Sequence, residues 1–154
     1  MLSLYKPELE DLRFRERMLA DPETMSYNHA WGGVIAFPEE AWRDWYDHWI
    51  VHPEGKRFYR YVVNGAGEFV GEIAYHYDEE LRGYAANVLV YAKYRGKGYG
   101  SRALELLSAA AGENGVKTLY DDIASDNPAA GMFFRHGFRE EYRTEDKIVL
   151  RKDL

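Results

Sequence analysis

Apolar residues in the first third of the chain recur at the spacing of amphipathic helices. Leu9, Leu12 and Leu19 follow one helical period, which Asp21-Pro22 ends. A second period opens after Phe37-Pro38 and is dominated by large aromatic side chains, at Trp42, Trp45, Tyr46, Trp49 and Ile50. The pattern therefore predicts two helices within about the first 55 residues, separated by a loop rich in glycine and aromatic residues.

The middle of the chain changes to β-branched and aromatic residues interrupted by short polar turns. Residues 58–63, 69–77 and 84–90 have strand composition, and turns at residues 64–67 and 78–83 separate them. Since both turns are short, the three strands are expected to pair with their neighbours in sequence. The pattern predicts an antiparallel meander of three strands.

The last third returns to helical spacing and then alternates between short elements. A helix is predicted from about residue 100, with one apolar face formed by Ala103, Leu104, Leu107, Ala110 and Ala111. A strand over residues 118–124, a short helix over 128–136 and a strand over 147–150 follow. This order predicts an α/β fold with a mixed, largely antiparallel sheet and helices on both faces. At 154 residues we expect a single domain.

Composition narrows the functional classes. The net charge of −6, from 20 basic and 26 acidic residues, argues against nucleic acid and is compatible with a cationic substrate. No leader or membrane segment is apparent, so we expect a cytoplasmic protein without a membrane partner. The chain has no cysteine, and no metal site is expected. Symmetric oligomers are most often dimers, which leaves a homodimer open.

A glycine turn joins the third meander strand to the following helix. We define it as residues 95–101, which read Arg95, Gly96, Lys97, Gly98, Tyr99, Gly100 and Ser101. Glycine lets the backbone reach positive φ and lets a ligand approach, and amides at a helix N-terminus favour anions. The turn fits neither the Walker pattern nor the dinucleotide fingerprint. A pyrophosphate site and a bare strand-to-helix corner are both compatible with the turn alone.

Two linked motifs resemble those of the GNAT superfamily of N-acetyltransferases. The first is Val88-Leu89-Val90 followed by Arg95-x-x-Gly98-x-Gly100, and the second runs from Asp126-Asn127-Pro128 to Gly137-Phe138. The resemblance covers roughly residues 58–150 and implies transfer of an acetyl group from acetyl-CoA to a primary amine. The acceptor, a small molecule or a peptide amine, would bind beside the N-terminal helical part, about residues 1–55.

The resemblance also assigns residues to the cofactor. The backbone of Val88, Leu89 and Val90 would pair with the pantetheine arm, and the glycine turn would hold the pyrophosphate. Asn127 would contact the pantetheine or the acetyl-bearing end, although an Asn before a proline is also a good helix N-cap. Phe134 occupies the position, seven residues after the motif Asn, at which many members carry a tyrosine that protonates the leaving thiolate.

Three side chains are candidates for the base that deprotonates the amine. In ribosomal-protein N-terminal acetyltransferases a Glu lies five residues before the motif Asn, and here that position is Asp122. Strand alternation separates Asp122 from Asp121, which we expect to point the other way. The other two candidates for the base are Glu72 and His76, which lie on one face of an earlier strand. An idle acyl-CoA-binding module and an interaction domain without cofactor are the alternative functions.

Overall fold

A computed structural model describes the backbone of all 154 residues and every side chain except those of Ala30 and Trp31. The strands are β1 (Ser3–Tyr5), β2 (Arg57–Val63), β3 (Phe69–Asp78), β4 (Gly83–Val90), β5 (Thr118–Ala124), β6 (Arg139–Arg143) and β7 (Lys147–Asp153). The α-helices are α1 (Leu12–Ala20), α2 (Glu39–Tyr46), α3 (Tyr99–Glu113) and α4 (Ala130–Arg135). Shorter helical turns are Leu9–Asp11, Thr24–Trp31, Asp47–Val51 and Ala92–Tyr94.

The seven strands form one sheet in the order β1-β2-β3-β4-β5-β7-β6. Every pair is antiparallel except β4 with β5, which run parallel. The described register of that pair covers only two positions, Tyr84 with Leu119 and Ala85 with Tyr120. Beyond them the strands separate, which leaves the C-terminal half of β4 without a partner on that side. The sheet therefore opens in the middle.

The two faces of the sheet carry separate apolar cores. On β3, Ile73 and Tyr75 pack with α3 and α4, while Ala74 packs on the other face with α1, α2 and the Thr24–Trp31 turn. This division follows from the alternation of side chains along a strand. Helices cover both faces, as the sequence predicts. Among the helices that the structure describes, none is both long and apolar enough to cross a membrane.

The predicted meander is confirmed as β2-β3-β4, and the predicted helices and later strands are present with shifted ends. Two strands were missed. β1 has only three residues, too few for a periodic signal. β6 reads Arg-Glu-Glu-Tyr-Arg and is exposed along its whole length, because it lies at the sheet edge. A strand with both faces in solvent does not show the alternation of apolar and polar residues that identifies a strand.

Candidate active site

A cavity of about 560 Å³ lies in the opening between β4 and β5. One wall is β4 from Asn87 to Val90, and the opposite wall contains Asp121 and Ile123 of β5. The glycine turn closes one end, while residues of the Thr24–Trp31 turn and of the loop before α4 form the rest. Because the strands are unpaired here, the backbone of β4 is free to pair with an extended ligand.

The glycine turn leaves room that any other residue would fill. Gly96 and Gly98 both have φ +80°, and no atom lies within 4 Å of a Cβ built on either. Gly98 directly precedes Tyr99, the first residue of α3, so the N-terminus of that helix faces the same space. The backbone amides and the helix dipole favour an anion, and the glycines have no side chain to obstruct it, so the turn fits a diphosphate.

The side chains of Arg95 and Ser101 in the turn are bonded to other parts of the chain, and that of Lys97 is exposed. The Arg95 guanidinium donates to the carbonyls of Glu23 and Thr24 at 3.0 and 2.7 Å, so it ties the turn to the Thr24–Trp31 segment. Ser101 Oγ is hydrogen-bonded to His136 Nε2 beside α4, and Lys97 is exposed to solvent. A diphosphate bound here would be met mainly by backbone amides of the turn, and contacts from the side chains of Arg95, Lys97 and Ser101 stay predictions.

The two neighbouring aspartates of β5 lie on opposite faces, but the face expected for each was wrong. Asp121 lines the cavity, whereas the side chain of Asp122 is 51% exposed and lies 3.5 Å from Lys147 Nζ. Leu119 and Ile123, which share a face with Asp121, are buried in the core beneath α3 and α4. These two apolar residues fix the orientation of the strand, and they were the signal in the sequence that points Asp121 inward.

Asp121 is the carboxylate whose surroundings suit proton transfer. Burial raises its pKa well above the ordinary value for an aspartate, and the charge of Asp122 raises it further. A carboxylate with a raised pKa is a better proton acceptor near neutral pH.

Glu72 and His76 lie on one face of β3, as predicted, but neither lines the cavity. Glu72 is 2% exposed behind Asn87, whose amide donates to it at 3.4 Å, and Arg15 Nε lies 4.0 Å away. Burial raises the pKa of Glu72, while Arg15 opposes the shift. His76 is exposed near the sheet end, against the edge of Trp49. Its position gives it no access to a ligand in the cavity.

A model of the acetyltransferase (GNAT) family matches residues 13–138. The chain belongs to this family. The resemblance drawn from the two motifs is confirmed, and so is the enzyme class, acyltransferase.

Solved structures share the fold of this acetyltransferase. A spermidine N-acetyltransferase from Vibrio cholerae, in complex with CoA and spermine, is 20% identical with a TM-score of 0.79, covering 99% of this chain and 95% of that one. An acetyltransferase from Thermus thermophilus is 23% identical with a TM-score of 0.72, covering 100% and 97%. At these identities the likeness concerns the fold alone.

The second motif of the acetyltransferase lines the cavity with several residues, but the two that were assigned to the cofactor, Asn127 and Phe134, lie in different surroundings. Asn127 lines the cavity, and its Oδ1 also accepts a hydrogen bond from the Ala129 amide at 2.9 Å, as an N-cap does. A direct contact between Asn127 and the cofactor stays a prediction. Phe134 is 45% exposed and outside the cavity, whereas its neighbours Met132 and Phe133 line it. Its assignment to the cofactor site therefore finds no support in this arrangement.

Sequence reasoning missed the Thr24–Trp31 segment, although it forms one side of the cavity. Ser26, Tyr27 and His29 line the cavity from this segment. His29 Nε2 lies 3.6 Å from Asp126 Oδ2, which brings the segment against the loop before α4. Aromatic and polar residues in a predicted loop carry no periodicity, so no pattern along the chain places them opposite β5.

Proposed function

We propose that this acetyltransferase moves the acetyl group of acetyl-CoA to a primary amine of a small, cationic acceptor. The observation that supports it most is that one cavity combines a region suited to the cofactor with a region lined by acidic side chains. The glycine turn and the unpaired β4 edge suit a diphosphate and an extended pantetheine arm, while Asp121 and Asp126 give the remainder of the cavity a negative charge. The first 55 residues or so would then supply the acceptor side.

In this proposal the cofactor is held mainly by backbone. Amides of Gly96 to Gly100 at the N-terminus of α3 would receive the diphosphate, and Val88 to Val90 would hydrogen-bond the pantetheine amides as an added strand. Acetyl-CoA supplies the activated thioester. The chain's own contribution is to place that thioester in the opening of the sheet, against Asp121 and Asn87.

Asp121 would act as the general base. An amine attacks only when it is neutral, so its proton must be taken up as the bond to carbon forms. The carboxylate of Asp121 borders the cavity, and burial raises its pKa toward the range in which such a group accepts a proton at neutral pH. In this role Asp121 replaces Asp122, which the structure places in solvent on the opposite face.

The charges around the cavity favour an acceptor without a carboxylate. Of the lining side chains that the structure describes, two are aspartates, the Arg95 guanidinium is bound to backbone carbonyls, and His29 faces Asp126. A second ammonium group would gain from this field, whereas a carboxylate would be repelled. The Vibrio cholerae neighbour, solved with spermine, is compatible with this choice.

A matched pair of acceptors tests the proposal. Putrescine and ornithine carry the same two amines and differ by one α-carboxylate. With acetyl-CoA, we expect kcat/KM for putrescine to exceed that for ornithine by about tenfold or more. Equal values, or a preference for ornithine, would contradict the cationic acceptor. No transfer to any member of a panel of amines would contradict N-acetylation itself.

A further inference from the structure

The proposed reaction also requires a proton for the departing CoA sulfur, and Asp121, as the base, takes up the amine proton instead. When the tetrahedral adduct collapses, its bond to sulfur breaks and the CoA sulfur leaves with the electron pair. A donor close to that sulfur would protonate it as it leaves. Phe134 has no hydroxyl and is exposed outside the cavity, so the second motif provides no such donor.

Three tyrosines line the cavity, and two of them are poorly placed for the sulfur. The Tyr94 hydroxyl donates to Glu68 Oε2 at 3.1 Å, in the turn between β2 and β3, so its proton is already engaged. Tyr99 is the first residue of α3 and therefore lies at the diphosphate end. The third is Tyr27, in the Thr24–Trp31 segment.

Tyr27 lies where the thioester is expected. Its ring packs against the core that contains Leu89 of β4, and it lines the same cavity as Asp121, whose charge acts on it together with that of Glu72. Burial, the larger effect, and these two charges raise the pKa of Tyr27 to about 12. The phenol therefore stays protonated at neutral pH, as a donor must.

The segment that carries Tyr27 is fixed to the cofactor end of the site. Thr24 Oγ1 accepts a hydrogen bond from the Ala92 amide at 2.9 Å and is itself bonded to Asp21, while Arg95 binds the carbonyls of Glu23 and Thr24. Because Tyr27 follows Thr24 by three residues, these bonds set its position relative to β4 and the glycine turn. The tyrosine is held by the same contacts that anchor the turn.

We propose that Tyr27 is the general acid that protonates the CoA sulfur. The amine proton passes to Asp121 as the carbon–nitrogen bond forms. The Tyr27 hydroxyl gives its proton to the sulfur as the carbon–sulfur bond breaks, and Asp121 returns a proton to the phenolate, directly or through one water. The sum is amine plus acetyl-CoA giving amide plus CoA thiol, with both enzyme groups restored. This inference rests on the proposed function.

Tyr27→Phe tests it, with Tyr120→Phe as the matched control because Tyr120 is outside the cavity on the opposite face of β5. With acetyl-CoA and putrescine, Tyr27→Phe should lower kcat about 100-fold and change the KM for acetyl-CoA little, while Tyr120→Phe stays near wild type. With the selenoester analogue of acetyl-CoA, whose selenolate leaves without a proton, the deficit of Tyr27→Phe should shrink to within a few-fold. An equal deficit with both donors would overturn the inference.

A binding measurement gives an independent readout. A phenol donor beside the sulfur stabilises the thiolate, so the pKa of the CoA thiol in the binary complex should be higher with Tyr27→Phe than with wild type, as followed by thiolate absorbance. The same thiol pKa in both complexes would contradict a contact between Tyr27 and sulfur. A wild-type protein that binds CoA but acetylates no amine would instead overturn the proposed function, and this inference with it.

Discussion

The two ends of the cavity are built in different ways. The proposed cofactor end consists of backbone: the amides of the glycine turn, the N-terminus of α3 and the unpaired edge of β4. The proposed acceptor end consists of side chains contributed by three separate elements, with Tyr27 from the Thr24–Trp31 segment, Asn87 from β4 and Asp121 from β5. A backbone site needs only the right local conformation, whereas a side-chain site needs several elements to meet in the right register.

Because of this difference, a one-residue shift of a strand affects the two ends differently. Shifting a strand by one residue leaves its backbone groups available but moves every side chain to the other face. At the acceptor end, such a change replaces Asp121 by Asp122. We therefore expect substitutions at the acceptor end to change turnover and those at the glycine turn to change cofactor affinity.

The largest effect is expected for Asp121→Asn, which keeps the shape of the side chain and removes its basicity. Turnover should fall by about 10²–10⁴-fold, with little change in the affinity for acetyl-CoA. The deficit should narrow as the pH is raised, because more of the amine is then already neutral. Steady-state kinetics across the pH range measure this, and an activity close to wild type at neutral pH would exclude Asp121 as the base.

A smaller effect, on affinity rather than turnover, is expected at the glycine turn. Gly98 and Gly115 have φ of +80° and +84°, and neither has an atom within 4 Å of a built Cβ. Alanine at either position carries the same backbone strain, but only Gly98 borders the cavity. Calorimetry should show CoA binding weakened about tenfold or more by Gly98→Ala, about 1.4 kcal/mol, and unchanged by Gly115→Ala. Equal affinities in the two variants would mean that the turn is only structural.

Asp121 should also affect the stability of the protein. Its pKa is higher in the folded than in the unfolded state, so the folded state binds more protons between those two values and loses stability as the pH rises through them. Asp121→Asn has no titrating carboxylate at this position, so it does not lose stability in this way as the pH rises. Denaturant unfolding should show the free energy of unfolding of the variant gaining on that of wild type as the pH rises above the ordinary pKa of an aspartate, about 4. A constant difference in the free energy of unfolding would show that the carboxylate is not buried as the fold implies.

The smallest effect is expected for Asp122→Asn. Asp122 and Lys147 form an exposed pair, and such pairs contribute about 0–1 kcal/mol to stability. Turnover should stay close to wild type, because this carboxylate is outside the cavity and acts on Asp121 only through its charge, which is a smaller cause of the raised pKa than burial. A loss of activity comparable to that of Asp121→Asn would reverse the assignment of the two aspartates.

The contrast between a local backbone site and a site made of side chains from several elements also explains what could be predicted from the sequence. The strand–glycine turn–helix unit is local, so its position in the fold was predicted, and together with the second motif it indicated the family. The apolar residues Leu119 and Ile123 marked the face of β5 that carries Asp121, but the position of this face beneath α3 and α4 is a tertiary contact. Tyr27 could not be selected, since its place opposite β5 depends on the distant hydrogen bonds made by Arg95 and Thr24.

The central claim is that acetyl-CoA lies in the opening between β4 and β5 with its thioester at Asp121. A crystal structure with CoA and putrescine measures this directly. We expect the diphosphate on the amides of residues 96–100, the pantetheine amides bonded to the backbone of Val88 to Val90, and the sulfur and one amine within reach of Asp121 and Tyr27. CoA bound at another place, or a thiol on the far side of β5 beside Asp122, would contradict the account.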